Sequence, residues 1–598
     1  MPRHLLLGAA IALALAGCNR EQAAPGTGAG AGTAAAVAAA DAPHAFVPGI
    51  AAGDFAELVR TLSSDAFEGR APGSEGETRT VEYIRAQYAR IGLQPGGDDG
   101  TFFQTVPMTE TTADPATRLR LQVAGTPREL AFGRDMVIGT RSGQPEVKVA
   151  DSELVFVGYG VDAPEQGWND YAGLDVRGKT VVILVNDPGF HAGDDGLFEG
   201  RRMTYYGRWT YKFEEAARKG AAAALIVHDT EGAAYGWDVV ENSWSGAQFD
   251  LRAADDPEPR LPVQGWLTAD AARALFAESG MDLDAMYAAA GKRGFKARPM
   301  QATLSVDLKS TVAEKSSRNV VGVLPGDGRP EEAIVYMAHW DHLGRHEGDP
   351  GGEAQGAAAG ADASEDRIYN GAIDNATGVA GIIEIAEKFA TATPRPKRSL
   401  VFLAVTLEES GLLGSKYHVA HPAFPLAKTV AVVNLDAMSV AGAARDMVVV
   451  GKGNSELEDI LATFTGPQQR TLVAETNPAG GFYFRSDHFN FAKAGVPALY
   501  AKGGDDLVSG GRAAGEAAGK AYTTDRYHKP ADEFDAGWDF AGVLQDLDAL
   551  YGVGRTLADG DRWPQWNAGN PFRAAREASL SARVQTRPAP VPATGSAP

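Results

Sequence analysis

Cysteine is almost absent from this 598-residue chain, since Cys18 is the only one. A single cysteine excludes an internal disulfide, so folding cannot rely on covalent cross-links. Long apolar runs are also scarce: LLLGAAIALALA near the N-terminus has no counterpart later in the chain, and no internal repeat is visible. These absences exclude a disulfide-stapled scaffold and a protein with several membrane spans.

The chain also lacks an excess of basic residues. It carries 56 Lys and Arg against 77 Asp and Glu, for a formal net charge of -21. Such a charge is repelled by phosphate backbones and argues against nucleic acid as a partner. The apolar content of 44% is typical of globular proteins, and the length favours two or three domains.

The N-terminus has the features of an export signal. Residues 1–17 combine Arg3, one apolar stretch and small residues, which predicts a signal peptide. The LAGC segment ending at Cys18 resembles the bacterial lipobox, which implies a lipid on that cysteine after cleavage. Residues 18–48, rich in Ala, Gly, Thr and Pro, predict a flexible tether. We therefore expect an exported, periplasm-facing lipoprotein of a bacterial cell envelope, attached to the membrane by this anchor.

Three short apolar runs predict buried strands. They are AIVYMA before His339, LVFLAVTL before Glu408 and TVAVVNL before Asp436. Each is rich in β-branched residues, and helical patterns lie between them. The alternation predicts an α/β fold with a mixed, mostly parallel sheet flanked by helices, in which the polar residues gather at the carboxyl ends of the strands.

The candidate metal ligands are two histidines and three acids. They are His339, Asp374, Glu409, Asp436 and His528. Mixed imidazole and carboxylate ligation suits zinc, with cobalt or manganese as alternatives. Two divalent cations bring about four positive charges and the acids return three, which leaves about one to hold a hydroxide. The set therefore indicates a two-metal hydrolytic site.

Two further acids have predicted catalytic roles. Asp341 lies two residues after His339 and could accept the free N–H of a ligating imidazole. Glu408 is free to take a proton from water and pass it to a leaving amine. Because neighbours in a regular strand point to opposite faces, Glu408 and Glu409 are expected where a strand breaks.

These motifs resemble the M28 family of metallopeptidases, the co-catalytic zinc aminopeptidases, from about residue 318 to 560. The matching segments are AHWDHLG, YNGAIDNATGVAGIIEIA, LEESGLLGSKYH, VNLDAM, FRSDHFNFAKAGVPALY and YHKPADEF, with FEGRAPGSEGE and GTFFQTVPM earlier in the chain. The resemblance implies two zinc ions bridged by Asp374, and peptides as substrates that lose their N-terminal residues.

The resemblance also implies a role for each remaining ligand. His339 and Asp436 would complete one metal site, and Glu409 and His528 the other. Glu408 would be the general base and Asp341 would orient His339. Two alternatives stay open: a glutaminyl cyclase-like acyltransferase with one zinc, and a receptor-like binding protein without catalysis.

The domain organisation follows from the same resemblance. Residues 49–140 and 315–562 are expected to form the peptidase domain, and 563–598 a disordered C-terminal tail. Between the two parts, residues 145–305 contain the strand-like runs ELVFVGYGV, KTVVILV and AAALIVH. This segment resembles a β-rich protease-associated domain inserted into the peptidase.

Two features depart from the family pattern. Ile373 stands where many relatives carry an acid, and since that acid is not a ligand we expect no loss of metal. The stretch between Leu343 and Tyr369 is lengthened by GDPGGEAQGAAAGADASED, whose composition predicts a mobile loop near the site.

The SDH segment at residues 486–488 has two interpretations. Asp487 and His488 could line the site, near the substrate or behind the ligands. Alternatively, Ser486 or Asp487 caps the helix predicted for HFNFAKAG. His488 is not counted as a ligand.

Overall fold

The computed structural model describes residues 44–256, 258–345 and 366–585. The predicted signal peptide, Cys18, most of the tether, nearly all of the low-complexity segment and the end of the chain lie outside these residues. The N-terminal part consists of α1 (Ala52–Leu62), α2 (Glu75–Ile91), β1 (Gln94–Pro95) and β2 (Phe103–Ala113).

The middle segment combines strands and helices. Its elements are β3 (Arg118–Val123), β4 (Thr126–Ala131), β5 (Met136–Gly139), β6 (Glu146–Phe156), β7 (Asp162–Ala163), β8 (Trp168–Asn169), β9 (Thr180–Leu184), α3 (Pro188–Ala192), α4 (Trp209–Arg218), β10 (Ala223–Val227), α5 (Thr230–Ala233), α6 (Trp237–Trp244), β11 (Ala247–Leu251), β12 (Val263–Leu267), α7 (Ala269–Glu278) and α8 (Leu283–Ala290).

The C-terminal half alternates strands with helices. After β13 (Arg298–Leu324) come β14 (Arg329–His339), β15 (Gly344–Arg345), β16 (Ile368–Tyr369), α9 (Thr377–Ala390), β17 (Arg398–Val405), α10 (Leu413–Ala420), β18 (Thr429–Asn434), β19 (Asp446–Val449), α11 (Leu457–Thr465), β20 (Thr471–Ala474), α12 (His488–Lys493), β21 (Ala498–Gly503), α13 (Gly511–Ala521), α14 (Ala541–Asp559) and α15 (Arg573–Gln585).

The main sheet has a parallel centre. Strands β17, β14, β18 and β21 lie side by side and parallel, and antiparallel strands flank them, with β13 and β2 on one side and β19 on the other. The predicted mixed, mostly parallel α/β fold is confirmed. The three predicted runs fall in β14, β17 and β18, which are direct neighbours.

Both faces of the central strands are buried, which explains why their sequences are continuously apolar. In β14, Tyr336 packs with one core cluster and Met337 with another. Alternate side chains of a strand point to opposite faces, so a strand covered on both sides needs apolar residues at every position. Helices α9 and α14 contribute to the first cluster.

A second sheet lies in the middle segment. Strands β6, β9, β10 and β12 run parallel, and β13 and β5 flank them antiparallel. Helices α3 to α8 belong to the same segment, so it holds more helix than a β-rich domain implies. Its assignment as a protease-associated domain stays a prediction.

Strand β13 belongs to both sheets. Its residues 298–309 pair with β6, and residues 310–320 pair with β2. The last five residues, Val320 to Leu324, pair with β17. The described residues from Phe46 onward form one compact unit.

The expected tail from residue 563 is folded as far as residue 585, which corrects that boundary. Trp566 is fully buried and its indole N–H donates to the carbonyl of Gly495 over 2.9 Å. The guanidinium of Arg576 in α15 donates to the carbonyls of Thr429 and Val430. Single buried anchors rather than an apolar stripe hold this segment. The hydrophobic periodicity of its sequence therefore did not reveal it.

Among the helices of the described residues, none is long and apolar enough to cross a bilayer.

Candidate metal centre

Three of the candidate ligands follow directly from strand ends. His339 is the last residue of β14 and pairs with Val405, the last residue of β17. Asp436 follows β18, where the N–H of Leu435 donates to the carbonyl of Met337 over 2.8 Å. Since these strands are parallel and in register, their carboxyl ends meet at one edge of the sheet.

The glutamate pair follows a break in the strand, as predicted. β17 ends at Val405, and Leu407 adopts a left-handed conformation with φ 58°. The N–H of Glu408 donates to a carboxylate oxygen of Asp341 over 3.2 Å. This turn allows Glu408 and Glu409 to remain on the same side of the sheet edge.

Asp374 lies in the turn that leads into α9. Beside it, the amide of Asn375 donates to the carbonyl of Leu435 over 3.0 Å and accepts from the N–H of Gly378 over 2.9 Å. These bonds tie the Asp374 turn to the end of β18 and to the start of α9. The peptide bond between Asp374 and Asn375 is cis.

The two carboxylate oxygens of Asp374 face two different histidines. His339 Nε2 lies 3.3 Å from Oδ1, and His528 Nε2 lies 3.3 Å from Oδ2. His339 Nε2 is also 3.5 Å from Asp436 Oδ1, and His528 Nε2 is 3.2 Å from Glu409 Oε2. The structure thus brings all five predicted ligands together, with Asp374 between two sets.

These spacings fit metal ligands better than hydrogen bonds. Ligands bound to a tetrahedral zinc at about 2.0–2.2 Å lie about 3.3 Å from each other. Three of the four distances exceed the usual range of hydrogen bonds, about 2.7–3.2 Å. His339, Asp374 and Asp436 form one group whose geometry can hold a cation. The donor set therefore fits zinc.

The environment of His339 supports the same conclusion. Its Nδ1 lies 3.2 Å from the backbone carbonyl of Asp341, which can only accept, so Nδ1 donates. Nε2 then faces the carboxylates of Asp374 and Asp436, and this contact is favourable only if a proton or a cation lies there. The carboxylate of Asp341 is farther from Nδ1, at 3.9 Å, so the carbonyl rather than the predicted carboxylate orients the ring.

The charges of the site influence one another strongly. Burial opposes ionisation of Asp374, but the imidazoles of His339 and His528 outweigh it and hold the pKa of Asp374 well below its usual value. Burial raises the pKa of Glu408 well above its usual value, and the neighbouring Glu409 raises it further. A carboxyl with a raised pKa beside metal ligands can both accept and return a proton.

His342 was missed in the sequence, although it is the second histidine of AHWDHLG. It is buried, and its Nδ1 donates to Glu409 Oε1 over 2.7 Å. It forms a possible cation-holding group with Asp374 and Glu409. Because 2.7 Å is a hydrogen-bond distance and His528 lies at ligand spacing from both acids, we assign His528 as the ligand and His342 as the residue that orients Glu409.

The SDH segment contacts the site. The hydroxyl of Ser486 donates to Asp436 Oδ2 over 2.6 Å, and Asp487 Oδ1 accepts from the hydroxyl of Ser415 over 2.6 Å. Asp487 makes no side-chain bond at the start of α12, so the capping interpretation is not supported. Burial lowers the pKa of His488 to about 3, and its ring nitrogens have no hydrogen-bond partner within the described residues.

Comparison with known families agrees with this geometry. Residues 319–550 match the family model described as peptidase family M28. This segment is an M28 peptidase domain. It contains every residue assigned above to the metal centre.

Individual relatives match over limited stretches. A probable zinc metalloprotease of Phaeosphaeria nodorum is 34% identical over 142 residues, which cover 24% of this chain and 25% of that protein. Aminopeptidase NAALADL1 of Mus musculus is 27% identical over 143 residues, 23% of this chain and 16% of its own length. The chain thus spans a quarter or less of these curated relatives.

Several solved structures match over most of the chain. An aminopeptidase from Aneurinibacillus sp. strain AM-1 has a TM-score of 0.44 and 20% identity, covering 86% of this chain and 95% of its own.

Arg70 lies outside the segment that matches the M28 model. Its side chain supports the loops that carry the candidate metal ligands. It is 1% exposed, and its guanidinium donates to the carbonyls of Trp340, Asn370 and Gly371 at 2.5 to 2.8 Å. A further bond reaches Leu62 at the end of α1. Arg70 therefore joins the N-terminal segment to the loops that carry His339 and Asp374.

Asp532 holds the same region from the other side. Its carboxylate accepts from the backbone N–H groups of Ile373 and Asp374 at 3.1 to 3.2 Å. Burial lowers the pKa of Arg70 to about 10, and the charge of Asp532 acts against this. The Asp374 turn is thus held between a buried cation and a buried acid.

Arg70→Lys is expected to destabilise the protein and weaken metal binding. An ammonium cannot serve all these carbonyls, and unsatisfied buried groups cost about 1–3 kcal/mol each. The apparent melting temperature and the zinc content after dialysis measure both effects. Arg79→Lys, on the exposed side of α2, is the matched control. Unchanged values for Arg70→Lys would contradict this role.

Proposed function

We propose that this protein is an aminopeptidase that hydrolyses the N-terminal residue from peptides at a centre of two zinc ions. The observation that carries the proposal is that Asp374 presents one oxygen to His339 and the other to His528 at tetrahedral ligand spacing. His339 and Asp436 would hold one ion with Asp374, and Glu409 and His528 the other. The printed names of the M28 relatives, which include aminopeptidases, favour the same activity.

The residues of the chain have distinct roles in this reaction. Zinc, when bound, makes water a stronger nucleophile at neutral pH and polarises a carbonyl. Glu408 takes the proton of the attacking water and delivers it to the amine that leaves, so the same carboxyl is base and then acid. Burial raises the pKa of Glu408, which suits this exchange.

Three neighbours position this machinery. His342 orients Glu409 through its 2.7 Å bond, and Ser486 orients Asp436 through its 2.6 Å bond. Asp341 accepts the N–H of Glu408 and thereby fixes the turn of the glutamate pair. Such supporting contacts around ligands affect metal affinity and activity strongly.

The alternatives differ in metal content. A cyclase with one zinc does not require five converging ligands. A receptor without catalysis does not require a glutamate such as Glu408, whose pKa is raised beside the ligands.

Export and lipid attachment at Cys18 stay predictions from the sequence, as does the role of the middle segment.

The activity is tested with a panel of aminoacyl chromogenic substrates. We expect release of the chromophore, loss of activity with a chelator and recovery on adding zinc, because the ligands need a cation. Metal analysis should give about two zinc ions per chain. Activity that survives complete metal removal would rule out the proposal, and a content near one would favour the cyclase.

His528→Ala and His342→Ala separate the ligand from the orienting residue. His528→Ala should lower the zinc content from about two to about one per chain, because it removes a ligand. His342→Ala should keep two ions at saturating zinc but bind them about 10–100-fold more weakly. Atomic emission analysis during zinc titration measures both. If His342→Ala lost one zinc ion and His528→Ala kept both, His342 and not His528 would be the ligand.

Glu408→Gln should keep both zinc ions and lose turnover by about two to four orders of magnitude, because Gln cannot carry the proton. Steady-state kinetics and metal analysis on the same preparation check this. Glu331→Gln, an exposed residue at the opposite end of β14, is the control and should behave as the parent. Normal turnover in Glu408→Gln would remove Glu408 as the base.

A further inference from the structure

The two glutamates of the metal centre lie in one closed turn, residues 406–414, which we call the glutamate turn. The turn closes where the N–H of Gly414 donates to the carbonyl of Thr406 over 3.0 Å. Asp341 accepts the N–H of Glu408 over 3.2 Å, so one contact from outside holds the middle of the turn. The contacts at its two ends then decide where the carboxyl of Glu408 lies.

A single amide spans both ends of the glutamate turn. Asn319 in β13 is fully buried, and its Oδ1 accepts from the N–H of Thr406 over 3.0 Å. Its Nδ2 donates to the carbonyl of Gly414 over 2.9 Å. A buried side chain that bonds to both ends of a turn keeps the distance between them constant, because fully satisfied polar networks are rigid.

The packing at Gly414 shows how closely this amide fits the turn. A Cβ atom at Gly414 would lie 2.2 Å from the carbonyl oxygen of Thr406 and 2.6 Å from Asn319 Oδ1. Both distances are shorter than van der Waals contact. The side chain of Asn319 therefore lies directly against the backbone of the turn, and only glycine permits this approach.

Asn319 is itself held by Gln104 of β2. The two residues are opposite each other in the antiparallel pairing of β13 with β2, and Asn319 Nδ2 donates to Gln104 Oε1 over 3.0 Å. Gln104 Oε1 also accepts from His418 Nδ1 over 2.8 Å, and Gln104 Nε2 donates to the carbonyl of His421 over 2.6 Å. His418 lies in α10 and His421 directly follows it. The same pair of amides thus holds both the turn and the helix after it.

A second buried chain of hydrogen bonds leads from the turn to α2. The hydroxyl groups of Thr406 and Ser317 lie 2.6 Å apart, and Ser317 donates to Glu77 Oε2 over 2.8 Å. All three side chains are buried. Glu77 and Gln104 both precede the segment that matches the M28 model. The N-terminal segment therefore contacts the glutamate turn through residues of β13.

We propose that Asn319 is a positioning residue that places the carboxyl of Glu408 by fixing the ends of the glutamate turn, with Gln104 as its support. The inference rests on the proposed peptidase function, in which Glu408 carries the proton. Proton transfer requires that the carboxyl lies within hydrogen-bond reach of the reacting atoms. A displacement of about 1 Å can cost about 100-fold in rate, so a loosened turn is expected to slow the reaction.

Asn319→Ala removes the bonds at both ends of the turn. With zinc-loaded full-length protein, we expect kcat to fall by about 10–100-fold while KM stays nearly unchanged, because Glu408 is displaced and the binding contacts are not. Asn186→Ala, the same change at another fully buried amide, lies in the middle segment and is the matched control. It should keep kcat, and melting temperatures verify that both variants are folded.

Combination with Glu408→Gln separates positioning from a general structural effect. If Asn319 acts through Glu408, adding Asn319→Ala to Glu408→Gln should lower kcat by no more than about twofold, because residues that act as a unit are not additive. A general structural loss would lower kcat by the same factor in both backgrounds. Equal factors, or an unchanged kcat in the folded Asn319→Ala protein, would overturn the inference while the peptidase function stands.

Hydrogen exchange tests the same contacts without turnover. In Asn319→Ala, the backbone amides of residues 406–414 should exchange at least about tenfold faster, because the turn then opens more easily, whereas those of β9 should be unchanged. Gln104→Ala should give a smaller change of the same kind, and it decides the question if Asn319→Ala does not fold. If the parent hydrolyses no peptide, the proposed function fails and the exchange result alone decides on Asn319. Unchanged protection of the glutamate turn in the folded variants would refute the inference.

Discussion

Repulsion between carboxylates is the constraint on which this site depends. Asp374, Glu408, Glu409 and Asp436 converge at one edge of the main sheet, with Asp341 and Asp487 buried close behind. Like charges at such spacing in a low-dielectric interior are stable only with compensating positive charge. The two facing imidazoles lack enough charge to provide it while serving as neutral ligands. The acids, the histidines and the cations they would hold are therefore one electrostatic unit.

The sequence predicted the parts of this unit that follow from local patterns. Strands β14, β17 and β18 were visible because burial on both faces leaves an unbroken apolar run, and parallel strands must end at the same edge. His339, Glu409 and Asp436 came directly from that rule. His528 had the weakest local signal of the five candidate ligands, since only a following Lys-Pro turn singles it out, yet its side chain reaches both Asp374 and Glu409.

What the sequence did not reveal depends on contacts across long distances in the chain. Arg70 binds the carbonyl of Asn370, 300 residues away, and nothing in FEGR indicates which carbonyls it will meet. No pattern in the sequence indicated a role for Asp532 either, because an acid after a Lys-Pro turn is commonly solvated. His342 had a signal in its position three residues after His339.

Strand β13 restricts how the middle segment can move relative to the main sheet. Because β13 passes from one sheet into the other, with residues 298–309 paired to β6 and residues 310–320 paired to β2, the middle segment could swing on a hinge only by breaking ladder hydrogen bonds. Hinge closure around a ligand is one of the common motions of two-part enzymes. Here the strand shared by the two sheets opposes such a motion, so the placement of the middle segment beside the main sheet is set by the fold itself.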